Sequence, residues 1–476
     1  MTTDPLHVEL SSLLKPVGQE HVLRWWAELS PGEKEALAVQ VRGMDLARVN
    51  RLARSLRVEA ERAPRGGPLQ PPPIRSLAAM DAVTRRAARE EGERAIRAGQ
   101  VACYMVAGGQ ATRLGIDGPK GTVEVGPVSR KSLFRLHAEK ILAASIRYST
   151  EIPWLLLTSD ATDRETREFF EREGNFGLGP AQVRFLLQGS LPAFTPDGRI
   201  LMKTRSEIFM GPDGHGGAIH ALSGSGLLDD LLKEGTDVLS YFQVDNPLAP
   251  PIDPVFIGLH RLEGAEVSSK VAEKTDPEEK VGVFALRDGS LTVVEYTEIS
   301  DEDRLARVEG GRLKFRGGNL AIHVMSLSFL DRLREEGLSL PHHPARKIVP
   351  ALDEAGRPTT PSEPNGVKFE SFIFDAIPLA RTSFVAEVVR EDEFQPIKNA
   401  AGKFTLEDAR QALSRLHARW LAGVVEVPSD ASGSPSQPVE ISPMYALDEE
   451  ELRSRVPPDL QIEGPLYLSP EPVPGE

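Results

Sequence analysis

Five short stretches of this chain carry residue types that could do chemistry on a charged ligand. GGQATRLGIDGPKG (108–121) follows the apolar run VACYMVA and places Arg113 and Lys120 among glycines. Gly108 and Gly109 let backbone approach a ligand and adopt positive φ, with N–H groups able to point at phosphate oxygens. The pattern is neither G-x-x-x-x-G-K-[ST] nor G-x-G-x-x-G, and alone it also reads as a turn with solvated charges. QVDN (243–246) ends an apolar run in Asp245, a carboxylate that could meet a hard cation such as Mg²⁺. In isolation the simpler reading is an aspartate capping a turn. PDGHGG (212–217) centres on His215, whose imidazole could donate to a sugar hydroxyl or a phosphate. NGVKFE (365–370) and PIKNA (396–400) each offer one lysine, Lys368 and Lys398, which without context are solvated surface groups. One cysteine and no paired histidine spacing leave nothing to complete a zinc site.

The elements that must position these stretches alternate. VACYMVA (101–107), PWLLLTS (153–159), QVRFLLQ (182–188) and DVLSYFQVDN (237–246) are short apolar runs suited to buried strands. Helical stretches at 131–147 and 161–173 separate some of them. Such alternation predicts a mostly parallel sheet covered on both faces, with ligands outside the carboxyl ends of its strands. A hairpin is expected over 280–299 around Asp288-Gly289, and a strand over 384–390.

Residues 1 to about 62 read as helical, with Ser30-Pro31-Gly32-Glu33 in the order of a capping box. APRGGPLQPPPI (63–74) reads as a Pro-rich linker or extended crossing. A helix over 405–421, a Ser/Pro/Gly-rich break at 428–438 and a short strand-rich tail follow. The expected division is a helical region with linker at 1–95, a catalytic domain at 96–392 and a small α+β domain at 393–476.

The 476 residues carry 56 Lys plus Arg against 70 Asp plus Glu, a net charge of −14. That balance argues against broad nucleic-acid binding, so any phosphate must be held by local cations. The first residues do not read as a signal peptide and no run of about 18 apolar residues occurs, so no membrane partner is expected. Cys103 is the sole cysteine and lies in an apolar run, which suits a buried residue in a reducing cytoplasm.

Taken in order, AGGQATRLG, PKGTVEVG, KSLFRL, PWLLLTS, GPDGHGG, VDNPL, DPVFIG, VVEYTEIS, GGNLAIH, PNGVKFESFIFD and PIKNA resemble the eukaryotic-type UDP-sugar pyrophosphorylases. The likeness is greatest to the UDP-N-acetylglucosamine pyrophosphorylase branch. It runs from about residue 100 to 400. It implies a GT-A-like α/β nucleotidyltransferase that joins UTP to a sugar 1-phosphate with Mg²⁺ and releases pyrophosphate. The resemblance further implies that Val106, Ala107, Gly108 and Gly109 wrap the nucleotide and that Arg113 and Lys120 hold the triphosphate. Gln188 and Gly214 would contact uridine; His215, Glu295, Tyr296 and Asn319 would meet the sugar. Asp245 would be the metal-linked acid, and Lys368 and Lys398 would contact phosphate, Lys398 also on the sugar side. Asp375 is a further possible ligand or a structural turn residue. Where Ala111 stands the family usually has Gly, and where His215 stands the branch commonly has Asn, whereas UDP-glucose enzymes have His. The alternatives are therefore uridylyl transfer to glucose 1-phosphate, or nucleotide-sugar binding without catalysis. A monomer or weak homo-oligomer is expected.

Overall fold

The computed structural model describes residues 4–58, 67–337, 340–431 and 433–470. The chain forms two compact units, each assembled from separated stretches. One comprises Met1–Gly67, Gln188–His220 and Ser339–Asp375; the other comprises Pro68–Leu187, Ala221–Leu338 and Ala376–Glu476. These units do not follow the contiguous division at 95/96 and 392/393. The N-terminal helices share a hydrophobic core with residues from 191–208 and 367–369, which explains why those stretches belong together.

The larger unit is built on a ten-stranded sheet. Its strands are β1 (Ile74–Ser76), β2 (Val101–Val106), β3 (Trp154–Thr158), β4 (Val183–Leu187), β5 (Val238–Gln243), β6 (Val267–Glu273), β7 (Val283–Arg287), β8 (Ser290–Val294), β9 (Gly317–Ser326) and β10 (Ser383–Glu387). The spatial order is β1-β10-β6-β9-β5-β2-β3-β4, with the β7–β8 hairpin joined to β9. All pairs along that order are parallel except those made by β9, which runs against both β6 and β5. β2 and β3 are buried almost throughout, as continuous apolar strands covered on both faces must be. The expected hairpin turns at Asp288 and Gly289, both at positive φ.

This topology gathers loops at one edge. β2, β5, β6 and β10 all end there, leading into 107–122, 244–246, 274–280 and 388–399. Because β9 runs against β5, it begins where β5 ends, and Asn319 reaches the same edge.

Helices close the sheet. Helix Leu133–Tyr148 starts at Ser132, whose hydroxyl accepts from Arg135 N, and stops at Ser149 with φ 53°. Helices Ala82–Arg97 and Pro254–Leu262 meet through glycine: a Cβ on Gly258 would lie 1.7 Å from Ala88 O, and one on Gly92 1.8 Å from Pro254 O. After helix Leu406–Ala422 the tail carries helix Glu449–Arg455 as well as two parallel strands, Val439–Ile441 and Leu466–Leu468. These pack around Leu421, Val439, Ile441 and Leu452.

In the smaller unit, helices Pro5–Leu14, Pro31–Gly43 and Leu46–Val58 precede four two-stranded ribbons. Ser30 and Glu33 form the expected capping box, with Pro31 at the first helical position. Residues 59–66, at the end of the helical stretch and the start of the Pro-rich segment, lie outside the described residues. No described helix is long and apolar enough to cross a membrane.

Candidate active site

Val106 closes β2, and the chain then turns sharply through 107–122. Gly108 O accepts from Ser159 Oγ at 2.8 Å, and Gly109 O accepts from Lys120 N at 3.0 Å. The expectation of positive φ at Gly108 and Gly109 is corrected. The left-handed positions are Gly115 and Gly118, where the 3₁₀ turn Thr112–Leu114 must reverse. Open space surrounds the Gly109 Cα instead, so its lack of a side chain leaves room rather than enabling a turn. Ala111 has φ −87° and is buried, a conformation that any residue adopts; its methyl group enters the core without backbone strain.

Lys120 binds this loop to two others. Its Nζ lies 3.3 Å from Asp245 Oδ2 and 3.1 Å from Ile397 O. Ile397 N donates in turn to Asp245 O at 2.9 Å, and Lys398 N to Phe404 O at 2.7 Å. Asn246 holds the same segment from the other side, with Nδ2 donating to Glu393 O at 2.7 Å and Oδ1 accepting from Gln395 N at 3.1 Å.

The result is a basin of about 1360 Å³ whose wall includes Arg113, Lys120, Asp245, Tyr296 and Lys398. Its charges are mixed and many are internally paired, as in Arg390–Glu279 and Lys403–Asp276. Arg113 and Lys398 are different: neither has a carboxylate partner among the described residues, and Lys398 Nζ sits over the Phe404 ring at 5.9 Å. Two uncommitted cations beside a carboxylate suit a polyanion such as a phosphate chain.

Glu295 and Asn319 converge on Gly282. Asn319 N donates to Gly282 O at 2.9 Å, and a Cβ on Gly282 would lie 2.8 Å from Glu295 Oε1. Asn319 Oδ1 also accepts from Ala321 N at 2.9 Å, which permits φ 54° at Ala321.

The smaller unit brings Gln188, Gly214 and His215 together. Gln188 Nε2 donates to Gly214 O at 2.6 Å. Gly214 has φ 88°, and a Cβ there would lie 2.3 Å from Ser371 O, so only glycine fits. His215 Nδ1 accepts from Ile373 N at 3.2 Å, which puts the ring proton on Nε2. Burial lowers the imidazole to about 4, and its ring lies 5.3 Å from Phe372 and 5.6 Å from Phe374. Lys368, on strand Gly366–Glu370, holds its Nζ 4.7 Å from the Phe209 ring, with desolvation lowering its pKa. Asp375 pairs with His343 Nε2 at 3.0 Å and caps Phe372 N at 3.2 Å, a structural arrangement.

Sequence reasoning missed Ser159, Phe372, Phe374 and the Arg48–Asp213 pair described below. The two phenylalanines flank Ile373 in FESFIFD at the start of the 3₁₀ helix Ile373–Leu379, where their rings stack at 4.9 Å. Arg48 carried no local signal. Cys103 is buried, with its thiol pushed up by burial and its Sγ 3.7 Å from Pro251 O.

A mostly parallel α/β sheet whose carboxyl-end loops gather uncommitted cations around an aspartate defines a protein of the nucleotide-handling kind. Residues 66–418 match the family described as UTP–glucose-1-phosphate uridylyltransferase, and the chain belongs to that family. It is 38% identical to the human UDP-N-acetylhexosamine pyrophosphorylase-like protein 1, over 97% of this chain and 96% of that one. It is 39% identical to the UDP-N-acetylglucosamine pyrophosphorylase of Saccharomyces cerevisiae, over 69% of this chain and 71% of that one. The crystal structure of the uridine diphosphate N-acetylglucosamine pyrophosphorylase of Trypanosoma brucei, in complex with an inhibitor, superposes with a TM-score of 0.82 at 30% identity. That match covers 99% of each chain.

Proposed function

We propose that this chain is a uridylyltransferase that forms UDP-N-acetylglucosamine and pyrophosphate from UTP and N-acetylglucosamine 1-phosphate. The observation that carries the reading is the joining of Arg113, Lys120, Asp245 and Lys398 around one basin. The relatives named for N-acetylglucosamine support the sugar.

The chemistry suits these residues. A sugar phosphate monoester has a second pKa near 6 and is largely dianionic at neutral pH, so its oxygen needs no general base. That oxygen attacks the α-phosphorus of UTP in line; the bond to the β-phosphate oxygen breaks and pyrophosphate leaves with the electron pair. The barrier lies in bringing two anions together and in charge spread over the α-phosphate. Arg113 and Lys120 hold the triphosphate, Lys398 meets the sugar phosphate, and Lys368 contributes a further phosphate contact. Val106 to Gly109 supply backbone to the nucleotide, and Gln188 and Gly214 meet the uridine. His215, Glu295, Tyr296 and Asn319 meet the sugar.

Mg²⁺ fits the donor set. Asp245 is a single carboxylate, and no three His, Cys, Asp or Glu among the described residues converge as a protein cage. That suits a cation held largely by substrate phosphates and water. When bound, it would neutralise phosphate charge beside Asp245.

A second reading, with glucose 1-phosphate as acceptor, is favoured by His215 itself, which stands where the UDP-glucose enzymes have His. Pyrophosphate release measured with UTP and each of N-acetylglucosamine, glucose and galactose 1-phosphates decides between them. Turnover with the acetamido sugar at least tenfold above the others is expected. Reaction only with sugars lacking the acetamido group would reverse the assignment.

A further inference from the structure

Helix Leu46–Val58 places Arg48 beside the loop that carries Gly214. Arg48 Nη2 lies 3.4 Å from Asp213 Oδ2 and 2.6 Å from His342 Nε2, and Arg48 Nε lies 3.1 Å from the same ring nitrogen. Burial and Arg48 lower His342 to about 4, so a neutral ring accepts from the guanidinium. The Asp213 side chain is only 2% exposed. Glycines make space for its carboxylate: a Cβ on Gly189 would lie 2.7 Å from Oδ2, and one on Gly217 2.3 Å from Oδ1. Burial pushes Asp213 up from its ordinary value, and Arg48 opposes that by favouring the charged form.

Beside this carboxylate lies Gln188. Its Nε2 donates to Gly214 O at 2.6 Å and faces Asp213 Oδ1 at 3.4 Å. Both neighbours are acceptors, so the NH₂ end must face them; turning the amide over would set Oε1 against a carbonyl and a carboxylate. Both amide protons are thereby directed inward, and no donor reaches Oε1 among the described residues.

We infer that the Arg48–Asp213 pair fixes the Gln188 carboxamide with Oε1 outward, making it an obligate acceptor that selects a pyrimidine bearing N3–H over one with an unprotonated N3. Uracil presents N3–H as a donor; cytosine presents N3 as an acceptor and would meet Oε1 with repulsion. Gln188 is thus held in this sense by the Gly214 carbonyl and by the carboxylate that Arg48 keeps charged behind it, and Arg48 and Asp213 are positioning residues. The inference rests on the reading that Gln188 meets the base.

The test measures kcat/KM with UTP and with CTP, and the Ki of CTP against UTP, for wild type, Q188A, D213N, R48M and R48K. D213N and R48M are expected to lower the UTP:CTP ratio by at least about tenfold, because the Gly214 carbonyl alone then opposes turning the amide over. R48K, which keeps a cation near Asp213, recovers most of the ratio. A general structural role would depress both nucleotides alike and leave the ratio unchanged. If Q188A lowers the ratio but D213N and R48M do not, the inference is overturned while Gln188 remains the base contact. If Q188A itself leaves UTP affinity and the ratio intact, the assignment of Gln188 to the base fails.

Discussion

Replacing Lys120 with methionine removes one ammonium and little volume. In the structure that ammonium makes two bonds, to Asp245 Oδ2 at 3.3 Å and Ile397 O at 3.1 Å, from a side chain that is 18% exposed. The folded protein should lose only about 1–2 kcal/mol, since Asp245 lines an open basin and water can replace the lost donor. Catalysis should lose more. A fixed donor aimed at charge developing on the transferring phosphate is worth about 3–4 kcal/mol, or roughly 10²–10³ in kcat. Uniform binding of UTP, shared with Arg113 and backbone N–H groups, should weaken less than about tenfold. The assay is steady-state pyrophosphate release at saturating sugar phosphate, with urea unfolding as the control on folding. D245N separates the two functions of the lysine, because it removes the ion pair and leaves the cation. A K120M enzyme that unfolds normally and keeps kcat within about threefold would refute the assignment. So would a loss confined to the KM for UTP, which would make Lys120 a binding group only.

Substituting Gly258 with alanine drives a methyl group to within 1.7 Å of Ala88 O, between two helix backbones. Chemical denaturation should show a loss of about 2 kcal/mol or more, and a neutral G258A would mean that the helices separate freely. Acid should destabilise the protein through buried histidines: burial lowers His137 and His417 to about 3 from an ordinary value of 6.5. Between those values the unfolded chain binds more protons, so stability rises with pH, and acidifying from pH 6.5 to pH 5 should cost about 2 kcal/mol per histidine. Urea midpoints across that range, for wild type and H417Q, check the slope; an unchanged slope in H417Q would remove this residue from the account.

Strands β2 and β3 were legible because they are continuous apolar runs, whereas β1 and β6, reading IRS and VSSKVAE, carry no such pattern. The helix start marked by Ser30 was similarly plain. β9 was not, since GGNLAIHVMS mixes glycine and polar residues; its antiparallel course comes from its neighbours rather than from its own pattern. The loop holding Arg113 and Lys120 and the turn at Asp245 were legible as candidates because each follows a strand, whereas Lys398 alone read as a solvated group, and only the fold shows that β2, β5 and β10 end at one edge. Arg48 was illegible in principle. It is one of four arginines on helix Leu46–Val58, and its partner Asp213 lies 165 positions away.

The segment bearing Lys398 illustrates what spacing cannot convey. Nothing in PIKNA dictates its path, yet three attachments fix it. Asp245 and Lys120 hold Ile397, Asn246 holds the Glu393 carbonyl and Gln395, and the Glu393 side chain enters a buried cluster with Lys270 and Asp253. Lys270 Nζ lies 2.6 Å from Asp253 Oδ2 and 2.7 Å from Glu393 Oε2, and its side chain is fully buried. Burial opposes its charge, but the two carboxylates together still raise its pKa, while burial drives the Glu393 carboxyl up. Such a cluster is a poor way to gain stability, because desolvation consumes most of the Coulomb energy. Its value is directional. An apolar contact at 393 would tolerate small slides of the chain, whereas a buried carboxylate must meet its ammonium in one place. Asp253 also caps helix Pro254–Leu262 through Val255 N and Phe256 N, so the anchor is itself tied to a rigid element. The uncommitted cation at 398 is therefore held five residues from a charge that cannot move, which is how a loop can carry a group whose work depends on position.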